Sequence, residues 1–131
     1  SYYSYLKACN LFLEVLYKRN HSKEIEKITE IEELLDKLED FEIPLRTQQL
    51  LFWYFDYTGQ YGKAEEMLFD MLESEAEEDF EDVEDAPSLL EKGEAFYASL
   101  VGKSDEALAA GNLPRTEISA GLARLHTHFM L

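Results

Sequence analysis

The segment LLFWYFDY, residues 50–57, carries five aromatic rings in eight positions. On a helix, Leu51, Phe52 and Phe55 share one side, while Trp53, Tyr54 and Tyr57 spread over the remainder. Tyr and Trp combine a large contact area with a polar tip, the chemistry of recognition rather than of bond-making. A helix that is apolar all round must be covered on every side or must expose a patch. Two readings follow. Either this is a central helix buried between two hairpins, or Trp53, Tyr54 and Tyr57 border a peptide groove or a self-association surface.

The second unusual stretch is ESEAEEDFEDVEDAP. From Glu73 to Asp85 it holds nine acids and no base. Like charges at this density read as a solvated loop or a frayed helix end. They also offer a field for a basic partner, with Glu77, Glu78, Asp79, Glu81 and Asp82 as the candidate contacts; such steering weakens with salt. A calcium loop needs oxygen ligands at set positions and a central Gly. Counted from Asp79, the sixth position is Glu84, so the sharp turn is unsupported.

His126 and His128 suggest a metal pair. Residues two apart on a helix point about 200° apart, whereas helical zinc pairs stand at i and i+4. A closing helical turn, where a protonated His suits the helix dipole, is the simpler account. Cys9 falls on an apolar stripe, where a thiol acts as a small hydrophobe. A nucleophile would need a nearby base, and no His lies on that helix; His21 lies in the following turn. The sequence contains no G-x-S-x-G, no phosphate-binding glycine loop, no H-E-x-x-H and no cysteine pair. No catalytic residue, metal or cofactor is assigned.

The 131 residues suffice for one domain with a core. With 28 acids against 12 bases, the formal net charge is −16. A field of that sign repels phosphate backbones and anionic membranes, so neither nucleic acid nor membrane is an expected partner. A single Cys forms no internal disulfide and fits a reducing compartment, here the cytoplasm. No apolar run reaches the roughly 18 to 20 residues of a membrane helix, and no N-terminal signal pattern is visible. An opening Ser1 in place of Met is what a fragment or a processed chain shows.

The elements that must position these residues are helical throughout. Residues 2–17 place Tyr2, Tyr5, Leu6, Cys9, Phe12, Leu13 and Leu16 at steps of three and four, one broad apolar face. KRNHS breaks the pattern, and Ser22 suits an N-cap. A second helix to about residue 40 carries Ile25, Ile28, Ile31, Leu35 and Leu38. Pro44 suits the first turn of a third helix, which ends near Thr58. Gly59 stops it with a left-handed residue. A fourth helix, 61–74, turns Ala64, Met67, Leu68, Met71 and Leu72 inward. Pro87 opens a fifth, to Val101, with Leu89, Leu90, Ala95, Phe96 and Leu100 inward. Ser104 caps a short turn of helix, DEALAA, which Gly111 and Asn112 stop. Pro114 starts the last helix, with Ile118, Leu122, Leu125 and Phe129 inward. No strand pattern appears, so the expected fold is all-α with about six helices.

Gly59 and Tyr61 therefore read as the hinge of an antiparallel helical hairpin. Tyr61 can pack back on the preceding helix, and Ala64 allows close approach. GQYGKAEEMLFDML, residues 59–72, resembles the turn and second helix of a tetratricopeptide repeat, matching it at Gly59, Tyr61, Ala64 and Leu68. Leu51 and Phe55 occupy apolar positions of the family's first helix. Phe52 stands where a small residue is usual, Met71 replaces an Ala, and no Pro follows at the family's distance. The resemblance covers one hairpin of about 30 residues. Residues 2–40 look like a degenerate hairpin, with Asn20 and Gly59 spaced 39 apart where the family's repeat is about 34. The C-terminal 45 residues keep the helix-pair habit without the motif.

The layout is also similar to uncharacterised bacterial proteins built of such helices. The resemblance implies stacked hairpins in a superhelix, with a concave face that recognises proteins or peptides, and no enzyme. The expectation is a single domain, residues 1–131. It comprises hairpins at 2–40 and 44–74, an acidic loop at 75–86 and C-terminal helices at 87–130. Its expected role is a non-catalytic protein–protein interaction module for a protein or peptide partner of basic character. The alternative is an obligate homodimer whose aromatic face is spent on itself; an α-helical enzyme ranks below both.

Overall fold

The computed structural model describes residues 1–18, 24–77 and 86–129. The described residues form seven helices and no strand, an all-α fold. They are α1 (Tyr2–Lys18), α2 (Glu24–Leu38), α3 (Leu45–Tyr57), α4 (Tyr61–Glu77), α5 (Ala86–Val101), α6 (Asp105–Ala110) and α7 (Arg115–Phe129). The Ser22 cap and the turn at Asn20 and His21 lie outside the described residues, as does the side chain of Ile25. No described helix is long and apolar enough to cross a membrane. The chain divides into two compact units, Ser1–Tyr54 and Phe55–Leu131, with the division falling inside α3.

In the first unit α1 packs along α2. Of the broad face expected on α1, the buried seam is narrow: Cys9, Leu13 and Leu16. Ile31 and Leu38 are buried on α2, and Leu51, Phe52 and Tyr54 on α3. Each such side chain, removed from water, contributes about 1.5–3 kcal/mol. Polar bonds fix the register. Buried Thr47 donates its Oγ1–H to Asn10 Oδ1 at 2.8 Å. Arg46 pairs with Glu14. The Tyr2 hydroxyl donates to the Glu42 carbonyl at 2.7 Å, and its ring stands 4.9 Å from that of Phe41. These bonds tie the start of α1 to the segment that leads into α3. Pro44 falls just before that helix rather than inside its first turn, and its carbonyl accepts from Gln48 N–H at 2.9 Å.

The second unit begins at a tight turn. Gly59 has φ +78°, the left-handed conformation, and Gln60 N–H closes the turn on the Phe55 carbonyl at 2.7 Å. Tyr61 is buried, with its ring against Gly111, and Gly62 N–H donates to the Gly111 carbonyl at 2.8 Å. The turn is thus held against the end of α6.

DEALAA is a full helix, α6. Ser104 caps it through a bond from Ala107 N–H at 3.1 Å. Its stop is divided: Gly111 has φ −82°, and Asn112 takes the left-handed conformation at φ 61°. Arg115 then clamps the end of α5, bonding Asp105 and the carbonyls of Val101 and Lys103.

Helix α4 runs to Glu77, three residues past the expected end. Glu and Ala are strong helix formers, and their propensity carries the helix into the acidic stretch. Its seam includes Phe69, which the sequence pattern had not placed inward. On α5 the buried positions are Leu89, Gly93, Phe96, Tyr97 and Leu100, while Ala95 is exposed, contrary to expectation. The steps 89, 93, 96, 97, 100 trace one face, and Ala95 lies beside it. Helix α5 packs on both α4 and α7.

Candidate functional site

A groove of about 480 Å³ runs between α5 and α7. Buried Tyr97 and Ile118 form its floor, and Ala98, Val101 and Leu122 its apolar walls. Ala98 is exposed and Val101 is 66% exposed, so this apolar surface is open to a ligand. Glu91 and Glu94 line one edge, and His126 faces them, its Nε2 standing 3.6 Å from Glu94 Oε2. From Glu91 to Val101 the helix advances about 15 Å, room for an apolar segment of a few residues.

The groove floor is anchored from below. Tyr97 donates its hydroxyl to Glu65 Oε2 at 2.6 Å. Both lie directly under Gly121, where a side-chain carbon would collide with the two oxygens. Burial raises the Glu65 pKa above the usual carboxylate value, while the Tyr97 bond pulls it part of the way back. The Tyr97 phenol is raised by burial and by the Glu65 beside it.

A second feature belongs to the first unit. The outer side of α1 carries Tyr3 (79% exposed), Leu11 (55%), Val15 and Tyr17 (56%) in contact with water. Lys7 and Lys18, both exposed, stand among them.

The aromatic residues expected to border a groove have different fates. Tyr54 is removed from that role: it is fully buried, and its hydroxyl donates to Glu32 Oε2 at 2.6 Å. The bond satisfies the one polar atom that would otherwise favour the surface. Trp53, part-buried in the first unit, meets the Tyr17 ring edge-on at 5.0 Å. Tyr57 belongs to the second unit and is 40% exposed. Glu78, Asp79, Glu81 and Asp82 lie outside the described residues, as does the side chain of Glu77.

Cys9 is fully buried, and burial pushes its thiol up to about 11, far from a reactive thiolate. His128 lies against Phe129, and no cluster of three His, Cys, Asp or Glu among the described residues is arranged to hold a metal ion.

Sequence reasoning missed both open surfaces. Glu91, Glu94, Ala98 and Val101 do stand on one face by helical spacing, but their partner surface comes from α7, more than a dozen residues away. The α1 signal was nearer at hand. Positions 3, 7, 11 and 15 recur at four-residue steps and form a second ribbon on the side opposite the buried seam.

No curated protein and no solved structure matches the chain. The profile of one family matches residues 7–130, nearly the whole length, and the chain therefore belongs to the family of unknown function DUF6483.

Proposed function

We propose that this chain is a non-catalytic protein–protein interaction module that takes a basic, apolar peptide segment into the α5–α7 groove. The observation that carries this is the groove itself: an open apolar trough edged by Glu91 and Glu94. Apolar side chains of the ligand would fill the trough over Ala98 and Leu122. A Lys or Arg beside them would reach the two carboxylates. The net charge of −16 would speed the approach of such a ligand. The tetratricopeptide resemblance of residues 59–72 supports the same class of role, since such helical arrays present peptide-binding surfaces. A cytoplasmic setting accords with a lone, unpaired cysteine.

A displayed random-peptide library panned on the chain tests this. Peptides with Lys or Arg next to two or more apolar residues are expected to be enriched. They should lose binding to Ala98→Trp, which fills the trough from an exposed position, and weaken about tenfold on Glu91→Lys/Glu94→Lys. Enriched peptides that bind the filled variant equally well would overturn the groove assignment.

A further inference from the structure

The outer side of α1 presents a ribbon of different chemistry. Tyr3, Lys7, Leu11 and Val15 follow one another at single-turn steps, a track about 18 Å long. Lys18 closes its far end, while Tyr17 turns aside to Trp53. Tyr3, Leu11, Val15 and Tyr17 are exposed large apolar residues, an unusual concentration on one helix. Along α1 itself the unpaired charge is one-signed. The only acid on α1 is Glu14, and its carboxylate is held by Arg46. Lys7 and Lys18 are exposed on the same ribbon.

We propose that this ribbon is a docking surface for an acidic amphipathic helix of a partner protein. Leu11 and Val15 would meet the apolar stripe of such a helix at the usual 8–10 Å between axes. Lys7 and Lys18 would pair with carboxylates beside that stripe. Charge complementarity selects this occupant. A second copy laid on the ribbon would bring lysine toward lysine. An anionic membrane is recognised by clusters of about four to eight basic residues, and this ribbon has two. The proposal does not rest on the α5–α7 groove, which lies in the other unit and prefers the opposite charge. Together the two surfaces would let one chain hold two partners of unlike charge.

The test uses the whole chain and a fluorescein-labelled peptide of about 18 residues, long enough to span the ribbon. Leu occupies the i, i+3, i+4 positions of the peptide and Glu most of the others. Fluorescence anisotropy is expected to report binding that weakens with salt. Lys7→Glu/Lys18→Glu should weaken it about tenfold, and Leu11→Ser/Val15→Ser by at least as much. Ala98→Trp should leave it unchanged, which separates this surface from the groove. Circular dichroism melts confirm that each variant is folded. The proposal is overturned if the folded wild-type chain ignores the peptide, or if the charge-reversed variant binds it equally. It is also overturned if light scattering finds a dimer that Leu11→Ser dissociates, or if phosphatidylserine vesicles bind where the peptide does not.

Discussion

In each unit a buried tyrosine donates a hydrogen bond from its hydroxyl to a distant glutamate at 2.6 Å: Tyr54 to Glu32 in the first, Tyr97 to Glu65 in the second. The bonds are alike, but their surroundings are not. In the second unit α7 crosses the pair with Gly121 placed over both oxygens, and the carboxylate sits under a helix backbone. In the first unit a network of side-chain bonds fixes three helices, through Thr47–Asn10 and Arg46–Glu14 as well as the tyrosine. The second unit relies on close backbone approaches, at Gly121 and between Gly62 and Gly111, the first on several separate polar ties. The first should therefore lose stability in small steps, and the second in one large step.

The largest expected effect is at Gly121. Gly121→Ala must displace either α7 or the Tyr97–Glu65 pair and should cost about 3 kcal/mol in a urea titration. A loss under 1 kcal/mol would end the distinction between the units. Next come the two hydroxyl deletions. Tyr97→Phe leaves a desolvated carboxylate without its donor and should cost about 2 kcal/mol. Tyr54→Phe should cost about 1 kcal/mol, because the remaining polar ties keep the helices in register. Equal losses would show that the covering glycine adds nothing.

A third comparison uses pH. The folded-state pKa of Glu65 is raised, chiefly by burial, so between the ordinary carboxylate value and that raised value the native chain holds the extra proton. Stability from this group is therefore present below the ordinary value and lost as pH rises through the folded one. Asp56 and Asp70 are raised in the same direction, again by burial first. Melting temperature should fall across this window, and Glu65→Gln should flatten the slope without removing it. An unchanged slope would place the effect on the two aspartates. The smallest effect is at the rim: Glu73→Gln breaks a half-exposed pair with Arg124 and should cost about 0.5 kcal/mol or less.

Much of the helix layout was legible because its punctuation is local. Pro44, Gly59, Ser104 and Pro114 each act through their own backbone or a residue three or four away. Ala64, Leu68, Met71 and Leu72 on α4 and Ile118 and Leu125 on α7 were legible for the same reason, whereas Phe69 was missed and Met67, Leu122 and Phe129 are only part-buried. Tyr54 was misplaced because its cover is not local: the partner that lets it be buried, Glu32, lies 22 residues back on another helix. Ala95 and Tyr97 were misjudged together. Hydrophobicity alone favours neither, and the choice rests on Glu65, 32 residues before Tyr97. The groove was out of reach because it needs α5 and α7 side by side with α6 between them in sequence. The α1 ribbon was passed over because apolar residues recur on both sides of α1, and only burial tells the inner seam from the outer ribbon.

The chain's single tryptophan, Trp53, lies wholly within the first unit, edge-on to Tyr17. It is an optical label that the protein carries by itself. Its emission follows the surroundings of residues 1–54, whereas far-ultraviolet circular dichroism sums every helix. One denaturation series read both ways therefore yields two curves from one sample. Superimposed curves would mean that the halves melt as one cooperative block; separated curves would give each half its own midpoint.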